Sequence, residues 1–219
     1  MQRVNETLTA GVERRLLGWL CARLPRWFTS DMLTALGMIG AAIACAGFVL
    51  SDRGNAYLWL AVAGVALNWF GDSLDGSLAR HRRAERPKYG FFLDHMTDTL
   101  AMGLIAVGIG LSPHALFASG LAVLLAYYAM VILTMAQAIV TGVFQISFNR
   151  IGPTEIRLFI MGCTVTGIFV PTPTYRWGGL EVTVYDLIIA AVTTLLLVTC
   201  VAQTATTLRS LAKVDPPKP

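Results

Sequence analysis

Residues 71–100 read GDSLDGSLARHRRAERPKYGFFLDHMTDTL, and this stretch carries four aspartates within an otherwise apolar chain. They are Asp72, Asp75, Asp94 and Asp98. The apolar runs on either side are long enough to cross a bilayer as helices. A carboxylate at membrane depth is costly unless it is paired, hydrated or bound to a metal ion. The stretch therefore predicts membrane helices that carry a site for divalent cations at the membrane surface.

The spacing of the aspartates puts each pair on one side of a helix. Asp72 and Asp75 are three residues apart, and Asp94 and Asp98 are four apart. Each pair therefore shares a helix face, and the short connection makes the two helices antiparallel neighbours. Ligand sets made only of oxygen favour Mg²⁺, Mn²⁺ or Ca²⁺. Two such ions about 4 Å apart are a common device for displacement at phosphorus.

Composition places the chain among membrane proteins. Of its 219 residues, 55% are hydrophobic and 14% are charged, whereas soluble domains carry about 25% charged residues. Runs long and apolar enough to form spanning helices lie at 32–50, 56–79, 91–111, 115–140, 155–170 and 184–208. We therefore predict an all-α integral membrane protein with six transmembrane helices in a catalytic domain at 32–208, followed by a cytoplasmic tail at 209–219.

The segment before the first span, residues 1–31, predicts a different kind of helix. Leucines recur there at helical spacing, arginines interrupt them, and Trp19 and Trp27 follow. This pattern is typical of an amphipathic helix that lies in the membrane interface. The alternative interpretation is a solvent-exposed tail.

The distribution of Lys and Arg predicts the orientation. Of the seventeen, all but Arg53 and Arg176 fall in the N-terminal segment, the second-to-third and fourth-to-fifth connections and the tail. The positive-inside rule then puts both termini and the aspartates on the cytoplasmic side, and the small size of the chain favours the cytoplasmic (inner) membrane of a bacterium or archaeon. The net charge of +4 is thus explained by topology, and we expect no nucleic-acid partner.

The aspartate stretch resembles the signature of the class I CDP-alcohol phosphotransferase (CDP-alcohol phosphatidyltransferase) family. That signature is D-x-x-D-G-x-x-A-R, a short gap, then G-x-x-x-D-x-x-x-D. The matching positions are Asp72, Asp75, Gly76, Ala79, Arg80, Gly90, Asp94 and Asp98, with nine residues between the two halves. The resemblance implies a six-helix membrane enzyme, usually a homodimer, that uses two divalent cations, Mg²⁺ or Mn²⁺. In its reaction an acceptor hydroxyl attacks the phosphate of a CDP-linked alcohol, and CMP leaves.

The resemblance also implies roles for the matching residues. The implied metal ligands are Asp72, Asp75, Asp94 and Asp98, and the implied contacts with the CDP moiety are Gly76, Ala79, Arg80 and Gly90. Asp98 would also act as the general base; spacing alone does not say which carboxylate has that role. Small side chains beside the first aspartate pair leave room for a bulky group, and Arg80 suits bidentate phosphate binding.

The segment NRIGPTEIRLFI, after the fourth apolar run, has two interpretations. Pro153 and Thr154 followed by Glu155 are typical of a helix start. Alternatively, Arg150, Glu155 and Arg157 line the pocket of the acceptor, where a guanidinium would bind an acceptor phosphate. Both interpretations remain open from the sequence.

Two further residues, His95 and Thr34, lie outside the signature but bear on the site. His95 follows Asp94 but points about 100° away on a helix, which favours a packing role over a catalytic one. Thr34 lies where relatives often carry Pro-Asn-x-x-Thr, whereas this chain has Ser30 and Asp31 at the first two of those positions.

These features predict an enzyme that makes a phospholipid by transfer from a CDP-alcohol. The compact six-span size favours CDP-diacylglycerol as the donor and a polar alcohol as the acceptor. The pairs Asp94-His95 and Thr154-Glu155 instead resemble enzymes in which soluble CDP-choline or CDP-ethanolamine donates to a lipid hydroxyl. A more remote alternative is a divalent-cation carrier, although the acids cluster near one face and no inverted repeat is visible.

Overall fold

The computed structural model describes residues 2–4, 10–145, 152–177 and 179–215. These residues form seven α-helices: α1 (Ala10–Arg23), α2 (Ser30–Leu50), α3 (Tyr57–His81), α4 (Pro87–Gly110), α5 (Phe117–Thr141), α6 (Pro153–Phe169) and α7 (Val184–Val214). They also form four short strands: β1 (Gln2–Val4), β2 (Val143–Gln145), β3 (Thr174–Trp177) and β4 (Leu180–Thr183). The helices α2 to α7 match the six predicted apolar runs within a few residues, except that α7 continues past 208.

Local sequence signals explain where several helices begin. The Thr29 side chain accepts a hydrogen bond from the Met32 amide, 3.2 Å away, and so caps α2. Pro87 and Pro153 occupy the first positions of α4 and α6, where the missing amide hydrogen costs nothing and the fixed φ suits a helix. The helix start predicted from Pro153 is therefore present.

The helices α2 and α3 form the tightest pair in the bundle. A methyl group on Gly40 would lie 2.5 Å from the backbone nitrogen of Asn68, so only glycine permits this approach. Small residues at helix contacts of this kind let backbones pack closely in membranes. The adjoining buried cluster consists of Ala41, Ala44, Phe48, Leu58, Ala61, Val65, Ala101 and Ile105, from α2, α3 and α4.

The helix α1 packs on α3 through one apolar side. Leu17 and Cys21 are buried in a cluster that also contains Leu33, Leu74 and Leu78. On the other side Leu16 and Trp19 are 42% and 52% exposed. The Arg82 guanidinium, after α3, donates to backbone oxygens in the turn that follows α1. Its acceptors are Leu24 at 3.1 Å, Pro25 at 2.8 Å, Arg26 at 3.3 Å and, closest of all, Phe28.

Four helical segments of the described chain are long and apolar enough to cross a membrane: Ser30–Arg53, Pro87–Gly110, Phe117–Thr141 and Val184–Val214. The helix α3 has a sufficient length of 25 residues but carries Asn68, Asp72 and Asp75 in its second half. The helix α6 is apolar but has only 17 residues. Both helices carry a charged side chain that meets those of α4: Asp72 on α3 and Arg157 on α6.

The strands are an addition to the predicted all-α architecture. The strands β1 and β2 pair in parallel, whereas β3 and β4 form an antiparallel hairpin between α6 and α7. Gly179 in the hairpin turn has a φ of +88°, a conformation that glycine adopts without strain. Across the hairpin, Arg176 donates to Glu181 at 2.9 Å, an exposed pair of the kind that adjacent strands favour. The sequence analysis missed the hairpin because its strands are only four residues long.

Candidate active site

The structure brings carboxylates from α3 and α4 together near the connection between these helices. Oxygen atoms of Asp72, Asp94 and Asp98 lie within 4.8 Å of one another, and all three residues are half-buried. The i, i+4 spacing on α4 turns Asp94 and Asp98 to the same side. Asp72 reaches them from α3. This donor set consists only of carboxylate oxygens, which fits the preference of Mg²⁺, Mn²⁺ and Ca²⁺.

Asp75 lies beside this group and contacts α2. Its Oδ2 accepts a hydrogen bond from Thr34 Oγ1 at 2.6 Å, and its Oδ1 accepts from the Gly76 amide. The Ser30 hydroxyl also donates to the backbone oxygen of Asp75 at 2.9 Å. Asp75 is 8% exposed and lines the same small cavity as Asp72 and Asp98. The start of α2 therefore fixes the fourth aspartate next to the other three.

Arg157 of α6 is the positive group of the cluster. Its Nη1 donates to Asp72 Oδ2 at 2.6 Å, and its Nη2 donates to Asp98 Oδ1 at 2.7 Å. Its Nε donates to Asn68 Oδ1 at 2.8 Å. Because the side chain is 1% exposed, its charge depends on these carboxylates for compensation. The sequence suggested Arg157 for the acceptor pocket, and the structure puts its guanidinium directly against the aspartates.

Asn68 belongs to the site, although the sequence analysis did not select it. Asn68 is 2% exposed and donates from Nδ2 to the Gly37 backbone oxygen at 3.0 Å, so it links α2, α3 and Arg157. A polar residue one turn before Asp72 in an apolar helix was a usable signal.

The residues that the signature assigns to CDP lie at the open ends of α3 and α4. Arg80 is exposed, and its Nη2 donates to Ser77 Oγ at 3.2 Å. Gly76 faces this guanidinium, since a methyl group on it would lie 3.4 Å from Arg80 Nη1. Ala79 is half-buried, and Gly90 is exposed in the first turn of α4 with open space around it. These positions border the aspartates on the side of the connecting segment.

The two predicted acceptor residues that the structure describes, Glu155 and Arg157, have different partners. The Glu155 carboxylate accepts a hydrogen bond from the Gly152 amide at 2.9 Å, which closes the start of α6 and supports the helix-start interpretation. Arg157 lies two residues further along and belongs to the aspartate cluster. Arg150 lies outside the residues that the structure describes.

His95 is held within its own helix. Its Nδ1 lies 2.7 Å from the Phe91 backbone oxygen and 3.5 Å from Asp94 Oδ2. Its ring stacks on Phe91 with 4.2 Å between ring centroids. These contacts agree with a packing role that also touches one of the clustered carboxylates.

Comparisons with known proteins agree with the signature. A family model described as CDP-alcohol phosphatidyltransferase matches residues 27–199. The chain is 25% identical to cholinephosphotransferase 1 of Gallus gallus over 173 residues, which is 73% of this chain and 49% of that protein. It is 32% identical to archaetidylinositol phosphate synthase of Methanothermobacter thermautotrophicus over 112 residues, or 50% of this chain and 53% of that protein. The chain thus spans about half the length of these curated relatives.

Two solved structures of Mycobacterium tuberculosis phosphatidylinositol phosphate synthase share the fold. The complex with manganese and citrate has a TM-score of 0.60 at 22% identity, covering 92% of this chain and 89% of that one. The complex with CDP-DAG has a TM-score of 0.57 at 21% identity, covering 91% and 93%. The four apolar helices make the chain a multi-pass membrane protein. The match over residues 27–199 confirms the resemblance and shows that the chain belongs to the CDP-alcohol phosphatidyltransferase family.

Proposed function

We propose that this protein transfers a substituted phosphate group from CDP-diacylglycerol to the hydroxyl of a polar alcohol, releases CMP, and so makes a phospholipid. The observation that carries this proposal is the convergence of Asp72, Asp94 and Asp98 beside a buried arginine. Three acids within 4.8 Å repel one another strongly unless cations neutralise them. Such a cluster in a member of this family supports metal-dependent chemistry at phosphorus.

The choice of donor rests on the relatives. A fold neighbour holds CDP-DAG, which supports CDP-diacylglycerol as the donor here. The similarity to a cholinephosphotransferase supports the second candidate, in which a soluble CDP-alcohol of the choline or ethanolamine type donates to a lipid hydroxyl. Both reactions release CMP, so the chemistry at the aspartates is the same.

We assign Asp72, Asp75, Asp94 and Asp98 as ligands of two divalent cations, Mg²⁺ or Mn²⁺. The manganese in a fold neighbour and the all-carboxylate donor set support this assignment. When bound, the cations neutralise the negative charge of the donor's phosphates and of the displacement at phosphorus, a contribution of several kcal/mol. Asp75 would bind a cation either after turning away from Thr34 or while keeping its hydrogen bond with Thr34.

The protein's own residues would perform the proton transfer and the positioning. Asp98 takes the proton from the acceptor hydroxyl. At the same time the oxygen of that hydroxyl forms a bond to the phosphorus that carries the donor's alcohol. The bond from that phosphorus to the oxygen of CMP breaks, and CMP leaves with the electron pair. Arg157 lies 2.7 Å from Asp98, where its guanidinium orients this carboxylate and can receive an acceptor phosphate.

Substrate contacts follow from the positions around the cluster. Gly76, Ala79 and Gly90 leave space beside the aspartates for the cytidine and ribose, and Arg80 would bind a phosphate of the CDP moiety. We keep Arg150, Glu155 and Arg157 as the proposed acceptor pocket. Of these, Arg157 is the one whose guanidinium lies against the aspartates.

We propose that α2 to α7 are six transmembrane helices, with α1 in the interface, in a catalytic domain at 32–208. The exposed Leu16, Trp19 and Trp27 support an interfacial α1, because tryptophan and leucine favour that depth. The basic connections support a cytoplasmic site and cytoplasmic termini, and the small size of the chain supports an inner membrane. A homodimer is proposed from the family alone.

The test measures CMP release from the purified protein in detergent and lipid with Mn²⁺. CDP-diacylglycerol and CDP-choline are each offered with pooled alcohol acceptors, and Asp98→Asn is assayed beside the wild type. We expect acceptor-dependent CMP from CDP-diacylglycerol, reduced about 10²–10⁴-fold in the variant, because a general base typically contributes that factor.

The other outcomes separate the alternatives. CMP from CDP-choline alone would move the assignment to the second candidate. Cation flux into sealed vesicles, with no CMP from either donor, would instead support the carrier. Glu181→Gln in the exposed hairpin is the matched control, since it also removes one carboxylate charge but lies away from the aspartates.

A further inference from the structure

Glu13 of α1 joins three helices next to the aspartate cluster. Its Oε1 accepts a hydrogen bond from Ser73 Oγ of α3 at 3.1 Å and another from Thr154 Oγ1 of α6 at 2.8 Å. All three residues are half-buried. A helix that only rested in the membrane interface would not need a carboxylate turned toward its neighbours. The inward position of the Glu13 carboxylate therefore indicates a role beyond membrane binding.

The two donors to Glu13 are neighbours of residues in the site. Ser73 follows Asp72 directly, and Thr154 lies three residues before Arg157, about one helical turn away. Arg157 and Asp72 are themselves in contact at 2.6 Å. The Glu13 bridge and the Asp72–Arg157 pair thus connect the same two helices, α3 and α6, at adjacent turns.

The helix α1 is attached to α3 independently of Glu13. Leu17 and Cys21 pack in a cluster with Leu74 and Leu78 of α3. Arg82 holds the turn after α1 through several backbone oxygens. Loss of the Glu13 carboxylate would therefore leave α1 on α3 and would release the contact to Thr154 on α6.

We propose that Glu13 is a positioning residue that fixes the first turns of α6 against α3 and so holds Arg157 in register with Asp72 and Asp98. Hydrogen bonds to a charged acceptor are stronger than those between neutral groups, and a carboxylate oxygen can accept both hydroxyls at once. The consequence for turnover rests on the proposed function. The positioning itself is measurable without any substrate.

The experiment compares Glu13→Leu with Glu13→Gln in the full-length protein. Leucine removes the acceptor, whereas the glutamine side chain keeps an oxygen that can accept from both hydroxyls. Thr154→Val tests the α6 side of the bridge with little change of shape, and Arg14→Gln is a control on an exposed neighbouring position. Two quantities are measured: hydrogen–deuterium exchange of amides in residues 10–23 and 156–160, and the kcat and KM of CMP release.

We expect faster amide exchange in residues 156–160 for Glu13→Leu and Thr154→Val, and wild-type exchange for Glu13→Gln and Arg14→Gln. The kcat of Glu13→Leu should fall about tenfold or more, as is typical when a residue that orients a functional group is lost. Glu13→Gln should restore it to within about twofold of the wild type, since its oxygen remains an acceptor.

Exchange that increases only in residues 10–23, with an unchanged kcat, would overturn the proposal and reduce Glu13 to an anchor of α1. Wild-type exchange in both segments would overturn it completely. An inactive wild type with the expected exchange pattern would contradict the proposed function and leave the positioning role of Glu13 supported. The two proposals can therefore fail separately.

Discussion

The two ends of the helix bundle bury side chains of opposite character. At the first, which we call the aspartate end, α3, α4 and α6 bring together Asn68, Asp72, Asp94, Asp98 and Arg157. At the second, which we call the apolar end, α2, α3, α4, α6 and α7 surround a cavity lined mainly by Phe48, Leu58, Ile109, Phe159, Ile160, Ile188 and Ile189. The helices α3, α4 and α6 contribute to both ends, so their composition changes along their length.

Because their buried side chains differ in character, the two ends contribute differently to stability and to activity. Apolar burial has no direction and depends mainly on the area removed from water, so the apolar end can stabilise the bundle without fixing individual atoms. The aspartate end depends on particular partners, because a buried charge or amide that loses its partner is strongly unfavourable. We therefore expect substitutions at the aspartate end to change activity first and substitutions at the apolar end to change stability first.

The largest effect that would test this comparison is Asp72→Asn. Asparagine keeps an oxygen for Arg157 but removes the negative charge that a divalent cation requires. We expect CMP release to fall at least about a hundredfold, since loss of metal stabilisation is worth several kcal/mol and 1.36 kcal/mol corresponds to a factor of ten. The thermal midpoint of the metal-free protein should change little, because Asp98 still pairs with Arg157.

Both quantities are measured on one preparation, by CMP assay and by thermal unfolding in detergent. A variant that kept its activity would contradict the role of Asp72 as a ligand. A variant that lost most of its stability would contradict the comparison, since the aspartate end would then be structural first.

The sequence predicted much of the aspartate end because local spacing determines which residues share a helix face. The i, i+3 and i, i+4 pairs, joined by a short connection, were sufficient to bring acids of α3 and α4 together. The sequence did not predict the position of Arg157, because the same residues fit a simple helix start. Only the packing of α6 against α3 distinguishes the two interpretations, and that packing involves residues far apart in the chain.

Thr34 shows why a departure from a family pattern need not remove a contact. This chain has Ser30 and Asp31 where relatives often carry Pro-Asn, yet Thr34 still donates to Asp75 at 2.6 Å. Ser30 adds a hydrogen bond to the backbone oxygen of Asp75, which a proline could not make. The predicted helix limits were close for a different reason: the length of an apolar run is a property of the sequence itself.

A smaller effect is expected from the same substitution at the apolar end, Asp186→Asn. Asp186 is 4% exposed and accepts hydrogen bonds at 2.8 Å from the Leu116 and Thr183 amides, and so joins the starts of α5 and α7. An asparagine would turn an NH₂ group toward one of these donors. We expect a loss of about 1–3 kcal/mol of stability, the usual consequence of an unpaired buried group, and nearly unchanged kcat of the folded enzyme.

Thermal unfolding and CMP release per folded molecule would be compared with those of Glu181→Gln, which alters an exposed ion pair worth about 0–1 kcal/mol. A large fall in kcat for Asp186→Asn at full stability would show that the two ends are coupled. The assignment of activity to the aspartate end and of stability to the apolar end would then be wrong.

The smallest effect concerns the pH dependence of stability at His114, between α4 and α5. Burial lowers the pKa of His114 below its usual value of 6.5. Its Nδ1 lies 3.3 Å from Thr172 Oγ1, and its ring lines the apolar cavity beside Tyr185. Between the lowered pKa and 6.5 the unfolded chain binds more protons than the folded chain. The free energy of unfolding should therefore rise with pH across that window and level off above it.

We expect the thermal midpoint of the wild type to fall more than that of His114→Phe when the pH is lowered from about 7.5 to about 5.5. Phenylalanine keeps a ring in the cavity and cannot be protonated, so the difference between the two slopes isolates His114 from the carboxylates of the aspartate end. Equal slopes would show that His114 is hydrated in the folded protein. The contrast between the ends would then be weaker, because water would reach the cavity at the apolar end.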